Sequence, residues 1–178
     1  MGEGERAASL YDEVLTEAPD HERALAGLSQ HHAASGNKVA SLALKRQRAM
    51  ALPDPKERFT TLVEVADAFS KIDEDALAAE VYEAARVIEP DNLPILHKLL
   101  ALYQKANKWV SLFDILRSIA TVDTDPLRRA KTYFTMGQIA SIELLDRGTA
   151  LEMFDLALDT DASQLSAFEN INRILTEA

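Results

Sequence analysis

An all-α fold of stacked antiparallel helix hairpins is predicted by three observations: apolar residues recur at helical spacing along the chain, no stretch alternates as a strand does, and the pattern repeats. With Pro19, Pro53, Pro90, Thr124 and Ala162 taken as equivalent turn positions, the successive gaps are 34, 37, 34 and 38 residues. Eight residues before those turns stand Tyr11, Lys45, Tyr82, Leu116 and Phe154, and twelve before them Ala7, Ser41, Ala78, Leu112 and Ala150. A small residue lets two helices approach closely, and a large one a turn later fills the gap between hairpins. Such a chain buries each hairpin against its neighbours rather than around one common centre.

The elements follow in order, about ten helices in all. A first helix over 3–17 carries Leu10 and Val14, and a second over 21–34 carries Leu25, Leu28 and His32. Gly36-Asn37 then offers a left-handed stop followed by a cap for a helix over 38–51. Asp54-Pro55 opens the next helix, over 55–71, with a capping carboxylate before a proline at the first helical position, where the missing amide costs nothing. Asp73 is expected to cap a helix over 74–88, and Asn92 one over 92–105. Trp109 stands at the opening of the helix over 108–121, where it reads as core. Asp125-Pro126 repeats the acid-proline start for a helix over 126–145, followed by helices over 147–159 and 163–176. Every connection is short, which makes consecutive helices antiparallel neighbours.

Helix pairs of this length with these small and aromatic places resemble the tetratricopeptide repeat. Leu62, Val65, Ala66 and Phe69 fill that family's first-helix signature, Ala78, Tyr82 and Ala85 its second, and Pro90 its terminal proline. Leu96, Leu99, Leu100 and Tyr103 followed by Leu112, Leu116 and Ile119 repeat the pattern with aliphatics. Tyr133, Met136, Gly137 and Ala140 followed by Ala150, Phe154 and Ala157 repeat it again, with extra residues around Glu143 to Asp146 lengthening the first helix. The weakest unit has Lys45 and Arg48 where an aromatic and a small residue belong, which suggests a helix shifted in register. The resemblance implies an α-solenoid, a right-handed superhelix forming one domain over 1–178. Its units would be a half repeat at 3–20, full units at 21–54, 55–91, 92–125 and 126–162, and a half repeat at 163–178. The unpaired half repeats suggest a piece of a longer array with open stacking faces, prone to end-to-end self-association.

Composition narrows the function. Twenty-nine acidic against nineteen basic residues give a formal charge of -10, which disfavours nucleic acid and anionic lipid as partners. The one dense basic run, Lys45-Arg46-Gln47-Arg48, reads as a solvated helix face. There is no cysteine for a disulfide or a thiolate metal site. No apolar signal core or membrane-length run occurs, and the compartment stays open with the cytoplasm as the default. His31 and His32, as helix neighbours, point about 100° apart and cannot chelate one ion together. The acids Asp73, Glu74 and Asp75 are accounted for by capping and the helix dipole. With no phosphate loop, nucleophile elbow or metal-ligand spacing, a non-catalytic chain without cofactor is expected.

Repeats of the resembled family bind extended peptides or a partner's helix in the concave groove lined by their first helices. Carried onto this chain, the groove positions include Arg23, Gln30, Asp67, His97, Gln104, Lys105, Lys131, Phe134 and Gln138, among the small residues Ala26, Ala33 and Ala101. The lysine and asparagine set with which one subfamily clamps a terminal carboxylate is absent. The resemblance therefore implies a protein-interaction module for an uncharged or weakly basic segment, with an exposed Phe134 as anchor. The alternative is a structural spacer or self-assembly segment of a large repeat protein.

Overall fold

The computed structural model describes residues 2–176 and contains, among them, ten helices and no strand. Residues 1 and 177–178, the outermost positions of the predicted 1–178 array, lie outside the described residues. Contacts group the chain into two compact units that meet in sequence at Glu89 and Pro90. The first holds α1 (Glu3–Glu17), α2 (Glu22–Ala34), α3 (Lys38–Ala51), α4 (Pro55–Ser70) and α5 (Asp75–Ile88). The second holds α6 (Leu93–Lys105), α7 (Trp109–Val122), α8 (Pro126–Ile142), α9 (Arg147–Thr160) and α10 (Leu165–Thr176). Within each unit every helix packs on its neighbours in sequence, as short connections between amphipathic helices require.

Helix starts follow local chemistry. The Asp54 carboxylate accepts from the amides of Lys56 and Glu57 at 3.3 and 3.1 Å, and that of Asp125 accepts from Leu127 at 2.9 Å, each ahead of a first-turn proline. Asn37 and Asn92 accept from Ala40 and Ile95 at 3.1 and 3.2 Å. His21 caps α2 through Nδ1, which accepts from Ala24 at 3.2 Å.

The turns inside the hairpins share one geometry. Gly36, Asp73, Asn107 and Leu145 all lie in the left-handed region, with φ of 81, 59, 52 and 54°. After the first three, the next amide reaches back to the carbonyl of His32, Phe69 or Tyr103 at 2.8, 3.1 and 2.9 Å, which satisfies the carbonyls a helix end leaves open. Asp73 therefore stops α4 rather than capping α5. Glu74 holds the cap place and makes no side-chain cap bond. The helix predicted to run to 145 ends at Ile142, because Leu145 turns the chain left-handed and the amide of Asp146 bonds to Ala140 at 2.8 Å. The extra residues of that unit thus form the turn.

Leu145 is 80% exposed, so little packing offsets a backbone conformation that costs a side-chain-bearing residue about 1–2 kcal/mol. Glycine adopts it freely but loses about 0.5–1 kcal/mol more entropy on folding. Leu145→Gly is expected to stabilise the protein by about 0.5–1 kcal/mol in urea unfolding. An unchanged or lower midpoint would contradict this.

The repeat signature forms the core. In the first unit Leu62, Val65, Ala66 and Phe69 of α4 and Ala78, Tyr82 and Ala85 of α5 are all buried. In the second unit Leu96, Leu99 and Tyr103 of α6 and Leu112, Leu116 and Ile119 of α7 are buried, as are Met136, Gly137 and Ala140 of α8 and Ala150, Phe154 and Ala157 of α9. Trp109 and His32 are half-buried. Close approach is visible where Tyr11 of α1 lies over Gly27 of α2, whose missing Cβ would come within 2.3 Å of the ring. The buried Ser29 and Ser41 satisfy each other across α2 and α3, their hydroxyl oxygens 3.0 Å apart. In α3 the buried residues are Ser41, Leu42 and Ala49, while Lys45 and Arg48 are exposed.

Candidate functional site

The groove positions lie on first helices whose opposite faces are committed to the core. In the first unit Arg23, Ala26, Gln30 and Ala33 of α2 are exposed, and Asp67 of α4 is half-buried. Asp67 accepts a hydrogen bond from the Tyr82 hydroxyl, so its carboxylate holds a core side chain. In the second unit His97, Ala101, Gln104 and Lys105 of α6 and Lys131 and Gln138 of α8 are exposed. Phe134 is half-buried, its ring tilted 50° against Phe154 with centroids 5.5 Å apart. The expectation of an exposed anchor is corrected: the aromatic beneath it draws part of the Phe134 ring into the α8–α9 packing.

Among the described residues the side-chain amides of Gln30, Gln104 and Gln138 take no hydrogen bond within the chain. Each offers two donors and an acceptor, the set that reads a peptide backbone.

The structure adds a feature beside α3. A hollow of about 270 Å³ lies between α2 and α3, lined by Ala26, Gln30 and Ala33 together with Lys45 and Arg48. A second, of about 320 Å³, lies between α3 and α4, where Lys45 and Arg48 again contribute. The sequence signal for them was Lys45 and Arg48 at places meant for core residues. The run read as a solvated basic face is exposed at Lys45 and Arg48 and carries surface pairs: Arg46 pairs with Glu80 at 3.0 Å, Arg48 with Glu22 at 2.9 Å, and Gln47 donates to the Pro19 carbonyl at 2.8 Å. Lys45 takes no ion pair among the described residues.

In the second unit the turn between α7 and α8 carries a forked ion pair. The Arg128 guanidinium donates through Nε and Nη2 to the two oxygens of Asp123, both at 2.9 Å. That fork, with the Asp125 amide, holds the Asp123 carboxyl down to about 2. A carboxyl lowered on folding adds stability above its unfolded value near 3.8, and the contribution is lost as pH falls toward about 2. Thermal melts across that window are expected to show a shallower acid limb for Asp123→Asn than for the native chain. Equal limbs would mean that the fork does not stabilise the fold.

Among the described residues no group of three or more His, Asp or Glu could hold a metal ion, and no helix is long and apolar enough to cross a membrane. What the surfaces offer is hydrogen bonding and charge.

No protein-family profile and no curated protein matches the chain. Among solved structures it is similar to MamA, at 16% identity and a TM-score of 0.46, over 93% of this chain and 86% of that one. It is also similar to YrrB, described as a TPR protein with an unusual peptide-binding site, at 15% identity and a TM-score of 0.43, over 94% and 83% of the two chains. PilF of Pseudomonas aeruginosa is similar at 14% identity and a TM-score of 0.43, over 92% and 71%. The ligands and assembly of those proteins remain properties of those proteins. This chain's own helix pairs, with small and aromatic places buried at a recurring spacing, keep the resemblance to tetratricopeptide hairpins drawn from its sequence.

Proposed function

We propose that the chain is a non-catalytic protein-interaction module that holds a peptide or helix of a partner protein along the open faces of its first helices. The observation that supports this most is the pair of exposed amides on the first helices of the second unit, Gln104 and Gln138, which take no hydrogen bond within the chain among the described residues. Amides of this kind bind an extended backbone through paired donor and acceptor contacts, and the mixed charges around them favour an uncharged or weakly basic segment. Preorganised helices lower the ordering entropy of binding, so modest contacts suffice.

The test compares the native chain with a Gln104→Glu, Gln138→Glu variant after circular dichroism has shown both equally folded. Proteins retained from native lysate by the first are expected to be held on the order of tenfold more weakly by the second. Identical retention, or none, would sink the reading.

One observation favours a second reading, self-assembly. Leu165, Phe168 and Leu175 of α10 are 73, 55 and 61% exposed on a helix whose Ala167 and Ile174 are buried. An apolar row of this kind associates readily. Light scattering over a concentration series is expected to show a rising mass that Phe168→Asp with Leu175→Asp abolishes. A mass independent of concentration would remove this reading.

A further inference from the structure

The hollows beside α3 mark two core side chains that the repeat lacks. At equivalent places α5 buries Tyr82 and Ala85, α7 buries Leu116 and Ile119, and α9 buries Phe154 and Ala157, whereas α3 exposes Lys45 and Arg48. A long flexible cation does not fill the space that an aromatic ring fills. The space is left as about 270 Å³ toward α2 and about 320 Å³ toward α4, with Lys45 and Arg48 lining both.

The charges around these spaces are uneven. Helix α3 carries Lys38, Lys45, Arg46 and Arg48 and no acidic residue, in a chain whose formal charge is -10. Arg46 and Arg48 are neutralised by Glu80 and Glu22. Lys45 is the cation at both hollows that forms no ion pair among the described residues. No carboxylate lines the α2 side, where Leu25 and Leu44 stand with the neutral Gln30. On the α4 side Leu42, Leu52 and Val65 give an apolar wall, with Glu57 and Glu64 also lining it.

We propose that this is a second docking place, for an acidic segment of a partner protein. A carboxylate side chain enters the α2–α3 hollow against the Lys45 ammonium and the Gln30 amide, and an apolar side chain next to it fills the α3–α4 hollow against Leu42 and Val65. Charge complementarity selects the occupant, since the ammonium repels the weakly basic segment proposed for the first helices. The inference goes beyond the proposed function, and its site lies within the first unit.

The probe is a fluorescein-labelled peptide of sequence Asp-Leu-Glu-Asp-Leu-Glu, followed by fluorescence anisotropy with the full chain. A Lys-Leu-Lys-Lys-Leu-Lys peptide serves as its counterpart. The acidic probe is expected to bind, the basic one not, and binding to weaken as salt rises from about 0.05 to 0.3 M. Lys45→Glu is expected to weaken the acidic probe by about tenfold or more. Lys45→Tyr restores the side chain the repeat calls for. It is expected to abolish binding while raising the melting temperature, so that loss of binding is not loss of fold. The Gln104→Glu, Gln138→Glu variant is expected to bind the probe as the native chain does, which separates this site from the first helices of the second unit.

Undiminished binding by Lys45→Tyr, equal binding of the two probes, or no binding of the acidic probe would each overturn the proposal. A concentration-dependent mass that Lys45→Glu abolishes would mean that another copy of the chain fills the hollows, and would overturn it too.

Discussion

Tyr82→Ala is expected to destabilise the protein by about 3–5 kcal/mol, a large part of what holds a domain of this kind folded. Tyr82 is 1% exposed, on a helix that packs against α4, where Leu62, Val65 and Phe69 are also buried, and Ala78 and Ala85 are the small buried residues of its own helix. Removing it leaves a cavity whose walls are helices fixed by other contacts, and such sites relax only in part. The hydroxyl adds a smaller, separable effect, because it donates to the half-buried Asp67 carboxylate. Tyr82→Phe removes that donor and keeps the ring, at a cost of about 1.5–3 kcal/mol typical of a hydrogen bond to a charged group. Urea unfolding of the two variants divides packing from hydrogen bonding. If Tyr82→Phe lost as much as Tyr82→Ala, the ring would contribute nothing as core, and the small-aromatic logic of the repeat would fail at its clearest instance.

That logic made most of the fold legible before any coordinates. Asp54-Pro55 and Asp125-Pro126 fixed two helix starts because capping and a proline's missing amide are local chemistry, complete within three residues. Gly36 marked a left-handed stop for the same reason. The equivalent stops at Asp73, Asn107 and Leu145 were harder to read, because those residues reach the left-handed region only when the surrounding hairpin imposes it. Asp73 consequently looked like a cap, and the residues after Ile142 like more helix.

The candidate site was less legible, since exposure depends on what lies underneath. Phe134 occupies a groove position, yet Phe154 beneath it takes up part of its face. Asp67 occupies another, yet its carboxylate meets the Tyr82 hydroxyl. Lys45 and Arg48 stood out as misfits to the repeat. Their meaning needed three dimensions, because a hollow is a property of the neighbours and cannot be read from one helix. Gln30, Gln104 and Gln138 are exposed, and among the described residues their amides take no hydrogen bond within the chain.

The second large effect joins Gly137 to Phe154 and predicts a change of sign. A Cβ placed on Gly137 would lie 2.6 Å from the ring of the fully buried Phe154, so the ring would have to shift to admit it. Alanine is the better helix former by about 1 kcal/mol, but overpacking at a core contact costs about 1–3 kcal/mol, so Gly137→Ala is expected to destabilise the native chain. Phe154→Ala is expected to cost about 3–5 kcal/mol, as loss of a buried aromatic does. In that background the obstructing ring is gone. The same Gly137→Ala should then stabilise, by the helix-propensity gain together with partial filling of the cavity. A double-mutant cycle measured by urea unfolding reports this as a coupling of about 2 kcal/mol, well outside the additivity of independent sites. Additive effects would mean that α8 and α9 have slack at this contact, and that glycine stands at 137 for a reason other than close approach. A destabilising Gly137→Ala in both backgrounds would point to a strain in α8 itself. Only the reversal assigns the glycine to the ring that lies over it.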